Sequence, residues 1–92
     1  MSVHMLETVM TTGFDNAQHK AMLSQMAFEA DEEGVCRSDI PGIAERCNLD
    51  LTKTFKCIQE LNEAGYIDID NSNRNLEFIL NPENIVNQEA HH

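Results

Sequence analysis

Across residues 16–30 the apolar positions Met22, Leu23, Met26, Ala27 and Ala30 recur at the spacing of one helix face, and Asp15 stands where an N-cap is expected. Asp31-Glu32-Glu33 and Gly34 end that helix. A helix C-terminus disfavours negative charge, so the three acids read as a solvated turn. Gly34-Val35-Cys36-Arg37 has the length of a single β-bridge. Ser38 is expected to cap a brief helix, with Asp39 in its first turn, Pro41 near its start, and Ile40, Ile43, Ala44 and Cys47 along one face. Asn48, which tolerates the left-handed conformation, ends it, and Leu49 follows as a buried turn residue. Asp50 caps the clearest helix, residues 51–64. Leu51, Thr54, Phe55, Ile58 and Leu61 fall on one side, and Thr52, Lys53, Lys56, Gln59, Glu60 and Glu63 on the other, before Gly65 stops it. Tyr66-Ile67-Asp68-Ile69-Asp70 alternates as a half-buried strand does. After the polar turn at residues 71–75, Leu76-Glu77-Phe78-Ile79-Leu80 returns, and Asn81-Pro82 ends the ladder.

The flanks carry weaker patterns. Val3, Leu6, Val9, Met10 and Phe14 approximate a helical stripe that Thr11-Thr12-Gly13 interrupts. This fits either a short helix packed on the domain or on a second copy, or a frayed start. Residues 83–92 suggest one helical turn around Ile85 and Val86, followed by a tail. His91 and His92 carry no weight here. The organisation expected is an N-terminal arm over residues 1–14, one domain over residues 15–82, and a C-terminal tail over residues 83–92. A chain of 92 residues holds one core.

Charge sharpens the question of partners. Six Lys and Arg face 16 Asp and Glu, a net charge of −10, which repels nucleic acids and anionic membranes unless the cations are clustered. They are partly clustered. Residues 37–74 carry net −2, and the remaining residues carry −8. No run of 18 apolar residues and no basic-then-apolar N-terminus is present, so a cytoplasmic protein away from membranes is expected. Cys36, Cys47 and Cys57 are odd in number and lack CxxC spacing, as free thiols in a reducing compartment would. Cys57, at the edge of the exposed face of its helix, is the one expected to be reactive. His4 and His19 have no partner at metal-ligand spacing. No Gly-rich phosphate loop or Ser/His/Asp set occurs, so neither an enzyme nor a cofactor is expected.

Helix, short strand, helix, tight turn, helix and hairpin is an order that resembles the winged helix-turn-helix superfamily. The resemblance is strongest over the 25 residues 43–67, IAERCNLDLTKTFKCIQELNEAGYI, which are similar to the bacterial and archaeal regulator type. Ala44 matches the small residue at the helix crossing and Leu49 the buried turn residue. Ile58 and Leu61 match the recognition-helix core, and Ala64-Gly65-Tyr66-Ile67 the opening of the wing. Phe78-Ile79-Leu80-Asn81-Pro82 is similar, more weakly, to a strand end of plasmid and phage replication-initiator winged helices. The resemblance implies an α+β fold, a three-helix core with a C-terminal β-hairpin wing, and sequence-specific binding of double-stranded DNA in transcription or replication control. The chain departs from the pattern at Thr54, where Val is usual, and at Phe55, where a small polar residue is common. It departs also at Asn48, in place of a turn glycine, and at Gln59 and Glu60, where Arg or Lys often stands.

On that reading helix 51–64 enters the major groove and the 66–80 hairpin is the wing. Thr52, Lys53 and Lys56 reach base edges or phosphate, Arg74 at the wing tip touches a minor groove or phosphate, and Arg37 and Arg46 hold the backbone. Three to five phosphate contacts give a log–log salt slope of about −3 to −4. A homodimer through the arm or first helix would double it. Two other readings stand beside this one. The lysines and Arg74 are solvated surface, with Glu60 placed to pair with Lys56. Alternatively the chain is an acidic winged-helix interaction module for a basic or nucleic-acid-binding protein, with Asp31, Glu32, Glu33, Asp68 and Asp70 as its charges and Phe55 as its anchor.

Overall fold

A computed structural model describes residues 3–72 and 76–87. Five helices and a three-stranded antiparallel sheet make up the described chain, an α+β domain. In order they are α1 (Val3–Thr11), α2 (Ala17–Glu29), β1 (Val35–Cys36), α3 (Ile40–Cys47), α4 (Leu51–Glu63), β2 (Ile67–Asp70), β3 (Glu77–Leu80) and α5 (Pro82–Asn87). The sheet order is β1-β3-β2. Cys36 pairs with Phe78 on one side, and Ile67 with Leu80 and Ile69 with Phe78 on the other.

Side-chain caps set the helix starts, two of them one residue from the expected place. Asn16, not Asp15, caps α2: its Oδ1 accepts the backbone N–H of Gln18 at 2.9 Å and of His19 at 3.2 Å. Asp39, not Ser38, caps α3, accepting from the Gly42 N–H at 2.8 Å, while the Ser38 hydroxyl donates to Glu29. Asp50 caps α4 as its sequence predicts, accepting from the Lys53 N–H at 2.7 Å. Asn48 adopts φ 57°, the left-handed turn between α3 and α4, and Gly65 at φ 83° stops α4.

The core draws on every layer. Met22, Leu23, Met26 and Ala27 of α2 meet Ile43 of α3, Cys57, Ile58 and Leu61 of α4, and Cys36, Ile67, Phe78 and Leu80 of the sheet. Both flanks join it. Residues 3–11 of the expected arm are helical, and Met5 and Val9 are buried against the domain. Ile85 of α5 is buried too. Phe14 meets the Tyr66 ring edge to face at 5.9 Å, tying the α1–α2 loop to the start of the hairpin.

The largest departure is the rotation of α4. Its buried arc is Thr54, Cys57, Ile58 and Leu61, whereas Leu51 and Phe55, expected on the apolar side, are exposed to 50% and 56%. Thr54, Ile58 and Leu61 are buried as expected. The Thr54 hydroxyl donates to the Asp50 carbonyl at 2.8 Å, so the side chain enters the core with its polar atom satisfied. Cys57 fills the next inward position and Phe55 is turned out.

Candidate nucleic-acid interface

The α3–turn–α4 unit leaves the outer face of α4 free. Thr52, Lys53, Phe55, Lys56 and Gln59 are all exposed there. With Thr52 taken as outermost, Phe55 lies about 60° round the helix on one side and Lys53 about 100° on the other. The two flanks differ in chemistry. On the first, Phe55 and Ile58 with Ile40, Ile69, Leu76 and Phe78 line an apolar cavity of about 260 Å³ between α4 and the hairpin. On the second, Lys53, Lys56, Cys57 and Glu60 line a polar cleft of similar size with Asn16 and Gln18 at the start of α2.

The predicted cations are placed unequally. Lys53 and Lys56 lie one turn apart on α4, and neither forms an ion pair among the described residues. Glu60, expected beside Lys56, accepts instead from His19 Nε2 of α2 at 3.1 Å. Arg37 is held on both sides. Its guanidinium pairs with Asp31, and its Nε donates to Glu77 at 2.9 Å. The Arg37 hydrogen bond holds the Asp31 carboxyl below the usual carboxylate range. Arg46 Nη1 lies 3.0 Å from Glu29. Thus the two arginines brace α2, α3 and the sheet, and the two lysines stand unneutralised. Arg74 lies outside the described residues.

Sequence reasoning missed the His19–Glu60 contact, which spans 41 positions and has no local signal. It also placed Cys57 at an accessible edge, and the structure corrects this. Cys57 is 1% exposed, and burial, reinforced by Glu60, pushes its thiol up to about 11. Cys36 is likewise buried with its pKa raised by burial, and Cys47 is half-buried. In native protein Cys47 is therefore expected to react first with a thiol reagent, and Cys36 and Cys57 only on unfolding. A thiol with a raised folded pKa stabilises the fold below its ordinary value near 9 and loses that contribution as pH rises to about 11. Wild type should accordingly lose roughly 2–3 kcal/mol more than Cys57→Ala across that window, at ~1.4 kcal/mol per unit, in denaturant titrations at each pH.

No group of His, Cys, Asp and Glu among the described residues is placed to hold a metal ion, and no described helix is long and apolar enough to cross a membrane. No family model, curated protein or solved structure matches the chain.

Proposed function

We propose that this chain is a winged helix-turn-helix protein that binds double-stranded DNA sequence-specifically, in transcription or replication control, with α4 in the major groove and the β2–β3 hairpin as the wing. The observation that carries the reading is the outer face of α4. It presents Thr52, Lys53 and Lys56 to solvent, with both lysines free of ion pairs among the described residues. The order α2-β1-α3-α4-β2-β3 and the β1-β3-β2 sheet support the fold half of the proposal.

Arg37 and Arg46 carry charge partly compensated by Asp31, Glu77 and Glu29. Counting Lys53, Lys56 and, from its place in the sequence, Arg74 as the phosphate contacts gives a salt slope of about −2 to −3 per copy at ~0.9 per phosphate. Self-association doubles it. The test is fluorescence anisotropy of a random-sequence duplex at low and at physiological salt. Micromolar binding that weakens with that slope is expected. No binding at low salt would overturn the proposal, because specific sites are built on a nonspecific electrostatic component.

A second reading, the acidic interaction module, is favoured by one observation. Glu32, Glu33 and Asp68 are exposed while Arg37 is neutralised between Asp31 and Glu77. It expects reversal of Asp31, Glu32 and Glu33 to release a basic protein partner and leave duplex affinity no lower.

A further inference from the structure

We infer that Phe55 is a specificity residue that reads thymine methyl groups, so that the preferred duplex carries A·T pairs where α4 meets it. The inference rests on the DNA-binding proposal above. Phe55 is 56% exposed on a helix whose neighbouring apolar positions are buried, and Leu51, one turn earlier on the same line, is 50% exposed. Phe55 with Leu51 one turn before it is more than a single scattered apolar side chain, and contiguous exposed apolar surface marks contact sites. Here Lys53 and Lys56 flank the ring in sequence, and neither is neutralised among the described residues.

A surface that complements this arrangement offers negative charge to the lysine flank and an apolar group to the Phe55 flank of one helix. Charge complementarity disfavours a basic protein at this face. A duplex major groove satisfies both demands, with phosphate or guanine acceptors for lysine and the C5-methyl of thymine for an apolar side chain. Cytosine carries no such methyl. The ring therefore discriminates by shape and burial where the lysines discriminate little.

Phe55 lines the apolar cavity with Ile69 and Leu76, on the side of α4 away from Lys53.

The experiment compares an alternating dA–dT duplex with its dA–dU counterpart, which lacks only the methyls, by anisotropy with wild type and with Phe55→Ala. Wild type is expected to bind the thymine duplex about fourfold more tightly per contacted methyl, the fold-change equivalent to ~0.8 kcal/mol per buried carbon. Phe55→Ala should bind both duplexes equally, at the affinity wild type shows for the uracil duplex. Its exposed position leaves the fold intact, which a melting curve verifies. Equal binding of both duplexes by wild type, or an unchanged thymine preference in Phe55→Ala, would overturn the inference while leaving DNA binding in place. Wild type binding neither duplex at low salt would remove the DNA-binding proposal itself and leave Phe55 to a protein ligand.

Discussion

Lys53→Glu and Lys56→Glu are each expected to weaken duplex binding at least tenfold, and together to abolish it, while the melting temperature falls by no more than about 4 °C. Both side chains are exposed and form no ion pair among the described residues, so the fold does not depend on their charge. Surface substitutions of this kind stay within about 0.5 kcal/mol, and in a domain this size each kcal/mol moves the midpoint by roughly 4–8 °C. Lys53→Glu is the stronger test. It places a carboxylate in the first turn of α4, three positions after the Asp50 cap, where the helix dipole and the reciprocal cap favour it by ~0.3–1 kcal/mol. A variant that folds at least as well as wild type but no longer binds locates the loss on the α4 face. Each lost phosphate contact should also lower the salt slope by about 0.9. Unchanged affinity in both variants would sink the assignment of α4 as the recognition element.

Local chemistry made some of this legible beforehand and left the rest hidden. The turn between α3 and α4 was readable because each signal there acts alone. Asn48 tolerates the left-handed turn, Asp50 caps the next helix, and Gly65 supplies the positive φ that ends it. The start of α2 was less determined, because Asp15 and Asn16 are adjacent and both are good caps; Asn16 prevails. The buried face of α4 was read in part: Thr54, Ile58 and Leu61 are inside as expected, whereas Cys57 turns inward and Leu51 and Phe55 outward, which depends on the elements packed opposite and lies in no local window. A buried Thr costs little when its hydroxyl returns to the Asp50 carbonyl.

The ion pairs were hidden for the same reason. Arg37 with Glu77 spans 40 positions, and Arg46 finds Glu29 on another helix. Counting charges by sequence segment treated these arginines as free cations. The fold shows that two of the five cations in the region of the proposed interface hold elements together instead. Among the described residues 37–72, the cations without an ion pair are thus Lys53 and Lys56, both on α4.

The N-terminal arm, left open by its sequence between a short packed helix and a frayed start, is the helix α1, and Val9→Asp is expected to show its role. Val9 is fully buried in the apolar core, and a carboxylate there would be desolvated. The expected cost is about 4–5 kcal/mol, a large share of the ~5–15 kcal/mol that holds a domain together, and the melting transition should fall by tens of degrees or vanish. Val3→Asp and Met10→Asp, exposed to 60% and 56% and about 100–120° round the helix from Val9, are the controls; Val3→Asp should stay within ~0.5 kcal/mol, and Met10→Asp, whose Sδ accepts from the Ser24 hydroxyl at 3.6 Å, close to that. Circular dichroism melts and sedimentation velocity on the three variants decide between two roles for α1. If α1 is part of the core, Val9→Asp unfolds the chain, and the controls leave it folded. If α1 docks on a second copy instead, Val9→Asp separates the copies and leaves a folded monomer with a near-native melt. Val3 and Met10 stand seven residues apart, close to two helical turns, and so lie along one exposed line of α1. A change of oligomeric state in Met10→Asp without loss of stability would assign that outer line to self-association while α1 keeps its inner face in the core. The two faces of one short helix would then serve stability and assembly separately.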